Sequence, residues 1–172
     1  MILAENKNGQ QLLEYIQVPE KDLLKSDAQE VSDLIARTLR ETNIKDYSVE
    51  YIENDVKILT AEYLIERSKC THSYVVYKDN KLVGCGSIGP YWGSKEESSL
   101  FTIFVLPEYQ GRGIGRKIVE TLEQDEYFLR SRRIEIPASI TAVEFYRKLG
   151  YDYKNGIDKV DDELLYRLEK FK

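Results

Sequence analysis

The chain has 172 residues, of which 42% are hydrophobic and 32% are charged, and its formal net charge is −5. This composition is that of a globular protein with a soluble surface, which excludes a disordered chain, and it gives no strongly basic footprint for nucleic acid. The single histidine and the two cysteines lack the spacing of a metal site, so we expect no bound metal.

The domain organisation is expected to be simple. The sequence has neither internal repeats nor a linker rich in Pro, Gly or Ser, which predicts one domain over residues 1–172 with an uncertain extension at residues 1–18. The first residues do not resemble a signal peptide, and no apolar run is long enough to cross a bilayer. We therefore expect a cytoplasmic protein that does not bind membranes, with Cys70 and Cys85 as reduced thiols.

Helical periodicity marks the first third of the chain. Apolar residues recur at helical spacing over about residues 27–41, and two further helices are predicted over about residues 48–54 and from Thr60 onward. A short strand is expected before them, at Leu23 to Lys25. Two β-branched and aromatic segments around an Asp-Asn turn then predict a hairpin over residues 73–88.

The second half alternates strands and helices. A nearly continuous apolar segment, Ser99 to Leu106, predicts a central strand covered on both faces. It leads through a glycine-rich turn into a helix expected over about residues 113–126, followed by a short strand that stops at Pro137. Ser139 is the expected N-cap of the last helix, and a final antiparallel pair follows at residues 151–153 and 164–168. The order predicts an α/β fold with a mixed sheet flanked by helices on both faces.

The glycine-rich turn is the clearest chemical signal. Gly111, Gly113 and Gly115 stand at alternate positions where a strand runs into a helix, with Arg112 and Arg116 beside them. The first amides of a helix have no partner within the helix and carry partial positive charge, so a diphosphate fits there. The spacing matches neither a P-loop nor the dinucleotide-binding fingerprint.

Two motifs around this turn resemble those of the GNAT superfamily of N-acetyltransferases. Residues 105–115 (VLPEYQGRGIG) are similar to its acetyl-CoA signature, and residues 138–151 (ASITAVEFYRKLGY) to its last conserved helix. The resemblance extends over about residues 22–168. It implies a GNAT-like acyl-CoA N-acyltransferase fold with a mostly antiparallel central sheet. It also implies transfer of an acetyl group from acetyl-CoA to a primary amine by direct attack in a ternary complex.

The resemblance also implies roles for individual residues. Backbone amides of the turn would hold the pyrophosphate, the edge of the preceding strand would pair with the pantetheine arm, and an amide near Val105 would polarise the thioester carbonyl. Tyr146 would donate a proton to the leaving thiolate, although its place on an apolar stripe also suits a core tyrosine. The implied cofactor-binding residues are Ile103, Phe104, Val105, Gln110, Gly111, Arg112, Gly113, Ile114, Gly115, Arg116, Ser139 and Tyr146.

The general base is less well defined by the sequence. Glu97 is the candidate, with Glu135 as the alternative, and a solvated surface carboxylate is the competing interpretation of each. His72 is a weaker candidate. Arg130, Arg132 and Arg133 are interpreted as a solvated face, or alternatively as ligands of the 3′-phosphate of coenzyme A.

The sequence does not name the amine that accepts the acetyl group. The loop at residues 90–96 is the predicted acceptor-side wall, with a packed loop as the equal alternative. Dimers are common in the resembling family, so a homodimer is one candidate assembly. A non-catalytic acyl-CoA sensor or a structural GNAT-like domain is the alternative to an enzyme, because intact glycines indicate binding and not turnover.

Overall fold

A computed structural model describes residues 14–18 and 25–172. In this part of the chain one seven-stranded sheet has the strand order β1-β2-β3-β4-β5-β7-β6. Its strands are β1 (Glu14–Val18), β2 (His72–Lys78), β3 (Lys81–Pro90), β4 (Glu97–Val105), β5 (Arg133–Ser139), β6 (Asp152–Tyr153) and β7 (Leu165–Phe171). All neighbouring strands are antiparallel except β4 and β5, which run parallel. The predicted mixed, mostly antiparallel sheet is confirmed.

Helices cover both faces of the sheet. They are α1 (Lys25–Glu41), α2 (Val49–Ile58), α3 (Ala61–Ser68), α4 (Ile114–Leu122), α5 (Glu126–Arg130) and α6 (Val143–Arg147). The first three pack on one face around Val75 and Cys85, and the last three pack on the other around Val76 and Ile134. None of the helices in the described ranges is long and apolar enough to span a membrane.

The close packing of α4 on the sheet depends on a glycine of β3. A Cβ atom at Gly86 would lie 2.5 Å from Cγ2 of Ile118 and 3.2 Å from Cδ1 of Leu122. Any larger residue would therefore push α4 off the sheet. This contact fixes the height at which the first turn of α4, and with it the glycine-rich turn, stands beside β4.

Two predicted boundaries in the second half were wrong. The helix expected to reach residue 126 ends at Leu122, because the buried carboxylate of Asp125 accepts a hydrogen bond from the amide of Tyr127 at 2.8 Å and starts a new helix. Strand β5 continues through Pro137 to Ser139. Proline is tolerated there because β5 pairs with β4 only as far as Glu135, so a missing N–H breaks no ladder on that side.

Ser139 is not a helix cap. It is the last residue of β5 and pairs with Leu165 of β7, while α6 begins four residues later with Ala142 at its N-cap position. The strand predicted at Leu23 to Lys25 falls mostly outside the described residues, and Lys25 is the first residue of α1. Among residues 1–18, only β1 is described. The single-domain organisation stays a prediction.

Candidate active site

A cavity of about 730 Å³ opens between β4 and β5. One side consists of α1, α2 and their connection, and the other of β4, the turn at residues 110–115 (the glycine turn), β5 and α6. This volume is in the range of sites that enclose small molecules and cofactors. The two sequence motifs, which are about 25 residues apart in the chain, meet in this one space.

The cavity exists because β4 and β5 stay paired for only three residues. The register ends at Ser99 and Glu135, although both strands continue. Opposite Gly86 of β3, strand β4 carries two residues, Thr102 and Ile103, which is a β-bulge. Thr102 has a φ of 53°, which is unusual for a β-branched residue. The bulge bends β4 away from β5, and the edge from Leu100 to Val105 faces the cavity without a strand partner in the described structure.

The glycine turn leaves a row of backbone amides unused. Gly111 and Gly113 have φ values of 71° and 83°, which only glycine adopts without strain. Gly113 is the N-cap of α4. The first hydrogen bond of this helix runs from the amide of Lys117 to the carbonyl of Gly113, at 3.0 Å. No amide of residues 111–116 donates to another described residue. Unused amides at a helix start are the arrangement that the sequence analysis predicts for binding an anion.

Gln110 has a role that sequence analysis missed. Its side-chain Nε2 donates to the carbonyl of Val105 at 2.9 Å and to the hydroxyl of Thr42 at 3.1 Å. The side chain therefore connects the glycine turn to the end of β4 and to the residue that follows α1. The only signal in the sequence was a long polar side chain just before the first glycine. Its two partners could not be predicted, because Thr42 is distant in sequence and the Val105 carbonyl comes within reach only through the conformation of the turn.

Most of the predicted cofactor-binding residues line this cavity: Ile103, Phe104, Val105, Gln110, Gly111, Gly113, Gly115, Arg116, Ser139 and Tyr146. Two do not. Ile114 is buried in the core beneath α4, and the guanidinium of Arg112 lies over the ring of Tyr109 at 5.5 Å. Ile114 is the first residue of α4 and its side chain packs into the core, whereas Arg112 precedes the helix and its side chain packs on Tyr109.

Tyr146 is buried where α6 meets the cavity. It is 6% exposed, and its ring packs against Phe145 at 5.0 Å and Tyr151 at 6.5 Å between centroids. Its hydroxyl has no hydrogen-bond partner among the described residues, whereas a buried tyrosine usually has one. Burial raises the pKa of Tyr146, so the phenol is protonated at neutral pH. A protonated, unpaired hydroxyl that lines a cavity can donate a proton to a ligand.

Glu97 lies outside the cavity lining, in contrast to its predicted role as base. Its two carboxylate oxygens accept hydrogen bonds from Nε and Nη2 of Arg133 at 3.2 and 3.0 Å. The Arg133 guanidinium holds the pKa of Glu97 below its usual range. A carboxylate that is occupied in this way and has a lowered pKa is a weak base, so its position does not support the predicted role.

The alternative base, Glu135, belongs to the same buried network. It is 3% exposed and accepts hydrogen bonds from Nη1 of Arg133 at 2.9 Å and from Nζ of Lys154 at 2.7 Å. Arg133 also bonds Glu169 at 3.1 Å. The interpretation of Arg133 as part of a solvated face was therefore wrong, since its charge is needed to neutralise carboxylates between β4, β5 and β7.

His72 lies elsewhere in the molecule. Its Nδ1 is 2.8 Å from the buried carboxylate of Asp125, which also accepts from the hydroxyl of Tyr74 at 2.6 Å. This group joins β2 to the start of α5, away from the cavity. Within the described ranges no three His, Cys, Asp or Glu side chains cluster as metal ligands would.

The opposite wall of the cavity comes from helices that sequence analysis did not connect to the site. We call it the α1–α2 wall; its residues are Leu39, Asn43, Tyr47, Tyr51, Ile52 and Asp55. The predicted acceptor-side loop at residues 90–96 contributes nothing to the lining, and Trp92 within it is almost fully exposed. In sequence, the α1–α2 wall has only the periodicity of an ordinary amphipathic helix.

Tyr47 and Tyr51 hold the α1–α2 wall in place. Their rings stack with 4.5 Å between centroids. The hydroxyl of Tyr47 donates to the carbonyl of Leu164 at 3.0 Å and accepts from the amide of Ile140 at 2.8 Å. The hydroxyl of Tyr51 donates to the carbonyl of Glu163 at 2.8 Å. Both hydroxyls are thus used to join α2 and the turn before it to the loops that follow β5 and precede β7.

Comparison with known proteins adds two findings. The family model described as Acetyltransferase (GNAT) family matches residues 36–151, which contain the glycine turn, β4 and α6. The search among curated proteins gave no significant match. The chain is therefore placed by a family model and by structural likeness.

Among solved structures, the chain is similar to PaiA N-acetyltransferase from Thermoplasma acidophilum in complex with coenzyme A. The TM-score is 0.75 at 17% identity, over 92% of this chain and 99% of that one. A GCN5-related N-acetyltransferase from Rhodopseudomonas palustris gives 0.72 at 18% identity, over 100% and 99%. An acetyltransferase from Thermus thermophilus gives 0.65 at 16% identity, over 92% and 97%. At these identities the likeness shows a shared fold.

Proposed function

Because the chain belongs to the GNAT family of acetyltransferases, we propose that it transfers the acetyl group of acetyl-CoA to a primary amine of a small molecule or a protein. Transfer occurs by direct attack within a ternary complex. One observation carries this proposal: a single cavity is lined by the unused amides of the glycine turn, the unpaired edge of β4 and the unpaired hydroxyl of Tyr146. Each of these three groups matches one part of an acetyl-CoA molecule.

The donor half follows from these groups. The amides of residues 111–116 suit the diphosphate, and Arg116 adds positive charge at the same place. The free edge of β4 from Ile103 to Val105 suits the amide groups of the pantetheine arm, which would lie along it as an added strand. The coenzyme A complex of the similar PaiA N-acetyltransferase supports this choice of ligand.

Acetyl-CoA supplies the activated acetyl group as a thioester. An amide of β4 near Val105 would polarise the thioester carbonyl, since it is fixed in the sheet before the reaction. The bond from the amine nitrogen to the acetyl carbon forms, and the carbon–sulfur bond breaks. Tyr146 would give its proton to the departing thiolate, because its raised pKa keeps it protonated until that charge appears.

We assign no side chain as the general base. Glu97 and Glu135 are held by Arg133 outside the cavity lining. The amine would enter in its neutral form, and the proton that it loses on acetylation would pass to water. This assignment predicts that the rate rises with pH as the free amine becomes more abundant, without a carboxylate-dependent limb.

The proposal is tested with acetyl-CoA, a panel of amines and short peptides, and a reagent that detects the free thiol of CoA. We expect acetyl-CoA to bind in calorimetry and CoA to appear when an acceptor is present. Tyr146→Phe should lower kcat about 100-fold and leave acetyl-CoA affinity within about threefold. Tyr151→Phe is the matched control, since this neighbouring buried tyrosine donates to Glu123 at 2.9 Å and does not line the cavity.

The alternative is a domain that binds acyl-CoA without turnover. Binding of acetyl-CoA with no CoA release for any amine would favour that alternative. An unchanged kcat in Tyr146→Phe, with an acceptor that the wild type uses, would remove Tyr146 from the mechanism. No binding of any acyl-CoA would contradict both.

A further inference from the structure

The α1–α2 wall holds a buried amide that the fold does not use. Asn43 is 8% exposed and lines the cavity, and its side chain makes no hydrogen bond to any described residue. An unsatisfied buried polar group destabilises the folded state, so such groups are rare in folded proteins. The side chain next to it in sequence, Thr42, is satisfied by Gln110. Within the part of the chain that the structure describes, the Asn43 amide is therefore left for a ligand in the cavity.

Asp55 is the second unused polar group on the same wall. It is half-buried, lines the cavity, and forms no ion pair or side-chain hydrogen bond within residues 25–172. Burial raises the pKa of Asp55, and the nearby charge of Glu163 adds to this effect. Both features describe a carboxylate that would be stabilised by a cation and has none among the residues that the structure describes.

The neighbouring acids differ from Asp55 in this respect. Asp161 and Glu163 are both bound by the guanidinium of Arg167, with Nε 2.5 Å from Asp161. The hydroxyls of Tyr47 and Tyr51 donate to backbone carbonyls and are not available to Asp55. What remains on the α1–α2 wall is one carboxylate without a cationic partner in the described residues, one amide without a described hydrogen-bond partner, and two aromatic rings. A cation fits all of them.

On the premise that the proposed acetyl transfer is correct, we propose that Asn43 and Asp55 form the acceptor-recognition subsite. The acceptor would be an aliphatic amine that carries a second positive charge in addition to the amine that is acetylated. Asp55 pairs with that second ammonium group, and the carbonyl oxygen of the Asn43 amide accepts a hydrogen bond from it.

The second charge follows from the chemistry of the reaction. The attacking amine must be neutral, and a carboxylate beside it would favour its protonated form and slow the attack. A carboxylate in the acceptor half therefore helps only if it binds a different ammonium group of the same molecule. Binding that remote charge also positions the reacting amine, which raises the rate beyond affinity alone.

The test uses butane-1,4-diamine and pentan-1-amine, two amines of equal length in which the remote ammonium group of the first is a methyl group in the second. With wild-type protein and acetyl-CoA, we expect kcat/KM for the diamine to exceed that for the monoamine by at least about tenfold. Asp55→Asn should remove most of this preference, and Asn43→Leu, of similar volume, should reduce it. Glu50→Gln is the matched control: it removes an exposed acid of α2 that does not line the cavity, so the preference should stay unchanged.

Calorimetry gives a second measurement that does not depend on turnover. Butane-1,4-diamine should bind the protein–CoA complex, and Asp55→Asn should weaken this binding at least about tenfold while CoA affinity and Tm are retained. Equal use of the two amines, or a preference that survives Asp55→Asn, would overturn this inference and leave the proposed acetyl transfer standing. Failure of every amine to release CoA would be a failure of the proposed function itself.

Discussion

The side-chain amide of Gln110 donates a hydrogen bond of 2.9 Å to the backbone carbonyl of Val105. The two residues stand at opposite ends of the short connection between β4 and the glycine turn. This bond closes the connection into a loop and holds the amides that we propose to bind the diphosphate next to the edge of β4. The geometry of the donor half therefore depends on one side chain as well as on the glycines.

Gln110→Ala should weaken acetyl-CoA binding about fivefold and leave the fold intact, because a lost hydrogen bond of this kind contributes about 1 kcal/mol. Calorimetric titration with acetyl-CoA measures the effect. Thr42→Val is the control, since it removes only the second bond of the same side chain, at 3.1 Å, and should change the affinity less. Equal affinities for wild type and Gln110→Ala would show that the turn keeps its shape without this bond.

Gly113→Ala should reduce both stability and acetyl-CoA affinity. The φ of 83° would be strained in alanine by about 1–2 kcal/mol, and relief of that strain would move the amides. Gly156→Ala is a close match, with a φ of 71° and, as at Gly113, no described atom within 4 Å of the added Cβ. Denaturant unfolding should show similar destabilisation of the two variants. Only Gly113→Ala should bind acetyl-CoA more weakly, and equal binding by both would count against the anion site.

Glu97→Gln separates a structural carboxylate from a catalytic one. We expect kcat/KM to change by less than about twofold, whereas the free energy of unfolding should fall by about 1 kcal/mol, because Arg133 loses a charged partner at a partly exposed position. Steady-state CoA release and urea unfolding are the two measurements. A large loss of kcat with unchanged stability would restore Glu97 as the general base.

The contribution of Glu97 to stability should also depend on pH. Its pKa is lowered in the folded protein, so its stabilisation is present above its unfolded pKa and is lost as the pH falls through the folded pKa. The difference in unfolding free energy between wild type and Glu97→Gln should therefore disappear in acid. A difference that stays constant on acidification would mean that the ion pair is not its origin.

For Glu108 the pH range over which its stabilising effect is lost is better defined. Its carboxylate oxygen lies 2.9 Å from Arg37 and 3.0 Å from Lys81, which lowers its pKa from 4.5 to about 2. Its stabilising effect should be complete above pH 4.5 and lost as the pH falls toward about 2. Unfolding curves of wild type and Glu108→Gln, recorded across this range, should converge at the acid end. Added salt should reduce the difference, because all three side chains are exposed.

The sequence by itself determined the local geometry of the proposed donor half of the site. Its features are local: positive φ values at Gly111 and Gly113, free amides at the start of a helix, and a strand before the turn. Such features depend on residues that are close together in sequence, so the sequence alone predicts them. The hairpin was predictable for the same reason, since period-two patterns and turn residues lie within a few positions of one another. The mostly antiparallel order of the sheet followed from the resemblance to the family and not from local patterns.

Only the tertiary structure decided the rest. Glu97 and Arg133 are 36 residues apart, and their pairing depends on the parallel register of β4 and β5. Asn43 and Asp55 have no distinguishing pattern in sequence and face the cavity only because α1 and α2 pack beside the bulged end of β4. A charged side chain is neutralised within the protein, or left to bind a ligand, according to its contacts with segments that are distant in sequence. Those contacts exist only after the chain has packed.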